Sequence, residues 1–134
     1  MYIDAAALVA ILCNEEEADR CSAALARASN PVTSAISVWE AAMALAKPEK
    51  LGLPVEASRQ LVMSFVDDRG IELVNLPQPI QAVELALLAA QRYRGGHNRL
   101  NLADCFHYAC ARSLGLPILS TAQEFRMTDL DVVA

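Results

Sequence analysis

Leu100-Asn101-Leu102-Ala103-Asp104-Cys105-Phe106 reads as the opening of a helix. Asn101 is a favourable N-cap, and Asp104 falls three residues later, in the first turn. Leu102, Cys105, Phe106, Ala109 and Cys110 follow at i, i+3, i+4, i+7 and i+8, the spacing of one buried stripe. Gly115 ends the helix. Pro117-Ile118-Leu119 beyond it is a fully apolar strand. Asp104 therefore stands on a short, well anchored platform that leads into a buried strand.

Upstream the same alternation recurs. Met1 to Asp4 is a short apolar strand that ends at an acid, and Ala5 to Cys13 continues as helix. Asn14-Glu15-Glu16-Glu17 breaks that helix and supplies the acidic first turn of a second, Glu16 to Ala28. Pro31-Val32-Thr33-Ser34 is a turn and a brief strand. Ser37-Val38-Trp39-Glu40 is a Ser-x-x-Glu capping box opening an Ala-rich helix, which stops before Pro48. Leu53-Pro54 starts a helix to Asp68, ended by Gly70. Ile71 to Val74 is a strand. Pro79 opens a helix to Arg94 on the periodicity of Ile80, Val83 and Leu87. Downstream of the opening stretch, Thr121 to Phe125 is a short turn or helix, and Leu130 to Val133 a last edge strand. Strands alternating with helices predict an α/β protein, a mostly parallel sheet of four or five strands flanked by helices on both faces.

The chain has 134 residues, the size of one domain over residues 1–134, and 54% of them are hydrophobic, enough for a sizeable core. No apolar run reaches the roughly 18 residues of a membrane span, and the first residues lack the basic segment of a signal peptide. A soluble, cytoplasmic protein is expected. Cys13, Cys21, Cys105 and Cys110 form no CxxC, and no Cys/His set has zinc spacing; they read as small buried groups in a reducing compartment. The net charge of −5 argues against non-specific nucleic-acid binding driven by excess Lys and Arg. It leaves room for an acidic metal site acting on a phosphodiester, where bound cations reverse the local sign.

Each acid in a motif has a plain structural role open to it. Asp4 can cap a helix, Glu40 can close the Ser37 box, Asp104 can favour its helix dipole, and Glu124 can close a Thr121-x-x-Glu124 box. Together they suggest more. Asp4 and the Thr121–Glu124 segment follow the carboxyl ends of apparent parallel strands, and Glu40 lies on the helix after Val32-Thr33. In open α/β sheets such positions gather along one edge. Asp104 joins them only if its helix start reaches that edge. Four converging acids would raise one another's pKa values unless cations shared them. Oxygen donors of this kind suit Mg²⁺ or Mn²⁺.

Five stretches carry a resemblance to a known family. Met1-Tyr2-Ile3-Asp4-Ala5 with Ala7 to Leu12 resembles the start of PIN-domain ribonucleases, in particular toxins of the VapC type. Ser34-Ala35-Ile36-Ser37-Val38-Trp39-Glu40-Ala41-Ala42 resembles their second motif, and Leu100 to Ala109 their third. Gly115 to Leu119 and Phe125 to Leu130 resemble the family's last strand and the segment after it. The resemblance implies a PIN-like three-layer fold and metal-dependent endonucleolytic cleavage of RNA. It implies that Asp4, Glu40 and Asp104 hold Mg²⁺ or Mn²⁺, and that Glu124 is the candidate fourth catalytic acid, with Asp129 a nearby substitute. It also implies a VapB-type antitoxin partner, contact with DNA only through that antitoxin, and a homodimer. Two departures stand out: Ala6 replaces the Ser or Thr many relatives carry two residues after the first acid, and Gln123 is neutral where relatives carry an acid. They keep open a non-catalytic binding module with a decayed metal site. A metal-dependent phosphatase or DNA nuclease on a related scaffold is a third reading.

Other residues complete the expectations. Arg92, Arg94, His97 and Arg99 form a basic cluster, either an RNA-contacting lip or a solvated helix end. His107 is read as a packed or surface helix residue rather than a ligand, since the expected cation prefers oxygen. Trp39 is expected to anchor the core or a dimer contact. Ser37 and Thr121 are read as caps first and as supporting contacts to the acids second. Leu8, Leu12 and the segment around Leu25 either pack in the core or line a groove for a partner helix.

Overall fold

The computed structural model of the chain describes residues 1–95 and 99–134. In chain order the elements are β1 (Tyr2–Ile3), α1 (Ala5–Leu12), α2 (Ala18–Arg27), β2 (Val32–Ser34), α3 (Ala35–Leu45) and α4 (Val55–Asp68). They continue with β3 (Glu72–Val74), α5 (Pro79–Tyr93), α6 (Leu102–Leu114), β4 (Ile118–Leu119), a 3₁₀ turn (Gln123–Met127) and β5 (Val132–Val133). The five strands form one sheet in the order β3-β2-β1-β4-β5, every neighbouring pair parallel. Both the strand count and the parallel pairing expected from the sequence hold. Among the described residues no helix is long and apolar enough to cross a membrane.

Alternation along the central strands sorts the core into two layers, because successive strand side chains face opposite ways. Ile3 and Leu119 face the side covered by α1–α4, where they pack with Leu8, Leu25, Leu45 and Val62. Tyr2 and Ile118 face the other side, packing with Ala89, Leu100, Tyr108 and Phe125 under α5 and α6. The result is a helix–sheet–helix sandwich. Tyr2 pairs in register with Val32 on one side and Ile118 on the other, so β1 is the middle strand. From β1 the chain steps outward through β2 to β3, then returns to the opposite flank for β4 and β5. The strand order reverses at β1, which places a crevice at its carboxyl end.

Several local expectations are corrected. The cap of α3 is Ser34, whose Oγ accepts from the Ser37 backbone N–H at 3.5 Å. The Ser37–Glu40 capping box does not form, because the helix starts directly at the end of β2. Glu40 is thereby left free of any capping role. Thr121 caps nothing either: the 3₁₀ turn begins after Ala122, without a side-chain cap. The stripe on α6 is broader than predicted and rotated: Leu102 is 70% exposed, while His107, Tyr108 and Ala111 are buried. Trp39 is 64% exposed and is no core anchor. Leu8 and Leu25 are core residues rather than groove lining.

The cap of α6 follows the sequence reading. Asn101 Oδ1 accepts from the Asp104 N–H at 3.0 Å, and Asp104 Oδ2 accepts from the Asn101 N–H at 2.7 Å. Such reciprocal caps contribute about 1 kcal/mol. Gly115 closes the helix at φ 63°, a left-handed conformation that a side chain would strain.

Candidate functional site

Asp4 is the residue that follows β1. Its backbone N–H donates to the Leu119 carbonyl at 3.1 Å, so the sheet ladder itself fixes where its side chain emerges. Ser120 follows β4 in the neighbouring strand, and its hydroxyl donates to Asp4 Oδ2 at 2.6 Å. Glu40 comes one turn into α3, which starts at the carboxyl end of β2. Asp104 comes from the first turn of α6. Asp4, Glu40, Asp104 and Glu124 all line one cleft of about 660 Å³. The helix start of α6 thus reaches the same sheet edge as the other acids. Asp129 is engaged elsewhere: it accepts from the Tyr108 hydroxyl at 2.8 Å and lies 3.6 Å from Arg112.

The electrostatics of the cleft are strained. Asp4 is buried, and Asp104 is 9% exposed. Carboxylate oxygens of Asp4 and Glu40 lie within 4.8 Å of each other. Two like charges at that separation repel by about 3 kcal/mol at an effective dielectric near 20. Burial pushes the Asp104 carboxyl up to about 6; the Asn101 N–H pulls the other way, and the nearby Asp4 charge adds to the rise. The cleft therefore carries more negative charge than its protein partners neutralise. Among the described residues, the donor atoms that lie within 4.8 Å of one another are those of Asp4, Glu40 and His107, and Asp104 lines the same cleft. Carboxylate oxygens are the donors a hard divalent cation prefers.

One member of the site was not expected. His107, fully buried on α6, places Nε2 2.6 Å from Glu40 Oε2 and 3.5 Å from Asp4 Oδ1. Its Nδ1 lies 3.0 Å from the Tyr2 hydroxyl and 3.3 Å from Ser37 Oγ. Burial lowers the imidazole pKa, but the Glu40 hydrogen bond and the Asp4 charge outweigh it, and the net shift is upward. His107 is packed, one of the two alternatives its sequence position allows, but it packs against the acids. The available signal was its position: three residues after Asp104, it shares a helix face with that acid. Ser120 was missed as well. Its signal was its place immediately after the apolar strand Pro117-Ile118-Leu119, where such sheets set their sites. Ala6 has no hydroxyl to offer, and the hydroxyl that bonds Asp4 is that of Ser120.

Arg92, Arg94 and Arg99 are exposed and are not among the residues lining the cleft. His97, the fourth member of that basic cluster, lies outside the described residues. Among the described residues the cations on the cleft wall are Lys47 and Lys50, and Lys50 is paired with Glu15.

The chain matches the family model for the PIN domain over residues 1–129. A "Ribonuclease VapC" of Mycolicibacterium smegmatis is 34% identical over 99% of each chain. "Ribonuclease VapC42" of Mycobacterium tuberculosis is 35% identical over 97% of this chain and 96% of its own. "Ribonuclease VapC30" of the same species is 32% identical over 100% and 98%. Among solved structures, a chain described as "Toxin-antitoxin complex from Klebsiella pneumoniae" superposes with a TM-score of 0.70 at 18% identity, covering 99% of this chain and 95% of that one. The chain belongs to the PIN-domain family.

Proposed function

We propose that this chain is a single PIN domain acting as a metal-dependent endoribonuclease, the toxin of a type II toxin–antitoxin pair. The observation that carries the reading is the convergence of Asp4, Glu40, Asp104 and Glu124 on one cleft from four separated parts of the sequence. Full-length identity of 30–35% to proteins named VapC ribonucleases supports it. Asp4, Glu40 and Asp104 are assigned to hold Mg²⁺ or Mn²⁺, with Glu124 as the fourth acid.

A bound divalent ion supplies positive charge that polarises a phosphodiester and orients water for in-line displacement. The chain's own contribution is placement. The β1–β4 ladder and the Ser120 hydroxyl hold Asp4, and the α6 capping box holds Asp104. Glu124, on the 3₁₀ turn, faces the same space. Lys47 gives the cleft wall a cation for the substrate backbone, and Arg92, Arg94 and Arg99 extend basic character outside it. No side chain is assigned as a covalent nucleophile.

The partners come from the same reading: RNA as substrate, a VapB-type antitoxin as inhibitor, DNA reached only through that antitoxin, and a second copy of the chain. Ile80, Val83 and Leu87 on α5 support the last, as an exposed apolar stripe at helical spacing. Four free thiols suit the reducing cytoplasm.

The test is RNA cleavage by purified protein with Mg²⁺ or Mn²⁺, with and without chelator, beside Asp4→Asn, Glu40→Gln and Asp104→Asn. Cleavage should need the ion and vanish in the variants with the fold intact. Full activity in Asp4→Asn or Asp104→Asn refutes the assigned site. Absence of saturable Mn²⁺ binding, even with a substrate analogue present, favours a binding module instead.

A further inference from the structure

His107 has no exposed surface and is not among the side chains that line the cleft. Asp4 and Glu40, which stand against its Nε2, do line the cleft. Its Nε2 is close enough to Asp4 and Glu40 for the three groups to share an ion. The ring nevertheless sits behind those carboxylates, on the core side, where the described cleft does not reach. Its other nitrogen faces two hydroxyls that are themselves tied together: the Tyr2 hydroxyl lies 2.8 Å from Ser34 Oγ and 2.9 Å from Ser37 Oγ. Imidazole, phenol and two serines thus form one buried network spanning β1, β2, α3 and α6. A network in which each polar group has a partner is rigid.

We propose that His107 is a positioning residue: anchored through Nδ1 on Tyr2 and Ser37, it donates Nε2–H to Glu40 and so fixes that carboxylate, from behind, for the cation in the cleft. This rests on the metal-centre reading of the cleft. Glu40 needs such a device. It is the acid that α3 presents after the cap has moved to Ser34, and nothing in the helix's own capping restrains its side chain. Asp4 and Asp104 are each held by other donors, Ser120 and the Asn101 N–H respectively. His107 gives Glu40 the equivalent hold. Partners of this kind behind a ligand carboxylate or imidazole commonly set metal affinity by a factor of about 10–100.

The test uses two substitutions that separate the ring's two ends. His107→Gln keeps an N–H near the Nε2 position, whereas His107→Asn reaches only the Nδ1 position, on the Tyr2 side. Mn²⁺ affinity is measured by titration calorimetry on the wild-type chain and both variants, with thermal midpoints recorded on the metal-free proteins. Nitrogen coupling to bound Mn²⁺ is read by pulsed electron paramagnetic resonance. The expected result is Mn²⁺ affinity about 10–100-fold weaker in His107→Asn, largely retained in His107→Gln, and no imidazole nitrogen coupling in the wild type. Equal affinity in all three, or equal loss in both variants, overturns the proposal while leaving the metal centre standing. Nitrogen coupling in the wild type overturns it too, by making His107 a ligand. Should His107→Asn fail to fold, His107→Gln and the spectrum decide. A wild type that binds no Mn²⁺ overturns the metal-centre reading itself, and this proposal with it.

Discussion

Ser120 donates its hydroxyl to Asp4 Oδ2 at 2.6 Å across 116 residues of sequence. The bond exists because β1 and β4 are neighbours in register, so the residues that follow them emerge side by side. Ser120 Oγ also accepts from the Ala122 N–H at 3.1 Å, which orients the hydroxyl towards the acid. Replacing Ser120 by Ala should remove the hydroxyl that aims Asp4 and loosen the turn after β4. Mn²⁺ affinity is expected to fall about 10-fold, and stability by about 1 kcal/mol. Calorimetric titration and urea unfolding measure the two effects separately. Unchanged Mn²⁺ affinity would show that the ladder alone holds Asp4.

The pH dependence of the metal-free protein has a definite sign. The Asp104 carboxyl is raised from its ordinary value of 3.8 to about 6 by burial, with the Asp4 charge adding to it. The folded chain therefore binds a proton more tightly than the unfolded chain between those values. Stability falls as pH rises through that window. The His107 shift is also upward, so its contribution is present below the unfolded value and is lost as pH rises through the folded one. Chelated protein should thus be more stable near pH 5 than near pH 8. Asp104→Asn, which can keep the capping acceptor, should be more stable than wild type at pH 8 by about 1–2 kcal/mol, an amount set by the size of the shift and discounted for partial solvation. The gain should vanish near pH 4. Urea unfolding in EDTA at three pH values decides it. The same substitution should abolish cleavage, so activity and stability would move in opposite directions.

The sequence carried the fold because its signals were local and mutually consistent. Asn101 with Asp104, Pro79 at the first turn of α5, and Gly70 and Gly115 after their helices each mark an element boundary by backbone chemistry alone. Asp4 and Asp104 stand out in the sequence because one follows a strand and the other opens a helix, whereas Glu40 stands out only through a Ser-x-x-Glu pattern that caps nothing. What stayed hidden was relational. Ser37 offers the same Ser-x-x-Glu pattern whether it caps α3 or, as here, turns inward to Tyr2. Ser34 outcompetes it only because β2 runs up to Ser34. Trp39 looked like a core anchor by composition, but the α3 face that holds it lines the cleft. His107 and Ser120 serve the acids through contacts that no spacing rule encodes, made by neighbours far away in sequence.

Lys47 and the arginine cluster make distinct predictions for RNA. Lys47 stands on the cleft wall, while Arg92, Arg94 and Arg99 do not. Lys47→Ala should weaken binding of a short RNA to catalytically silent Asp4→Asn protein, and lower the slope of log affinity against log salt by nearly one. Arg92→Ala, Arg94→Ala and Arg99→Ala should each have less effect on a short oligonucleotide that fills only the cleft, and more on a longer RNA. Fluorescence anisotropy at several salt concentrations compares them. A larger loss from the arginines on the short RNA would move the substrate path away from α3.

The α5 stripe tests the homodimer. Ile80, Val83 and Leu87 are 76%, 55% and 64% exposed and lie along one face of the helix. The opposite face, with Ala82, Ala86 and Ala89, is buried under the chain's own core. Small residues inward and large apolar residues outward is the reverse of what a solvated helix requires, since burying each large side chain is worth about 1.5–3 kcal/mol. A second copy packed on this stripe would bury it. Sedimentation should find a dimer at micromolar concentration. Leu87→Glu should convert it to a monomer, because an unpaired carboxylate at the centre of an apolar contact is costly to desolvate. Far-UV circular dichroism should be unchanged, since Leu87 takes no part in the chain's own core. A dimer that survives Leu87→Glu and also Val83→Glu would place the subunit contact on another face. A wild type that sediments as a monomer would leave the stripe to a different partner.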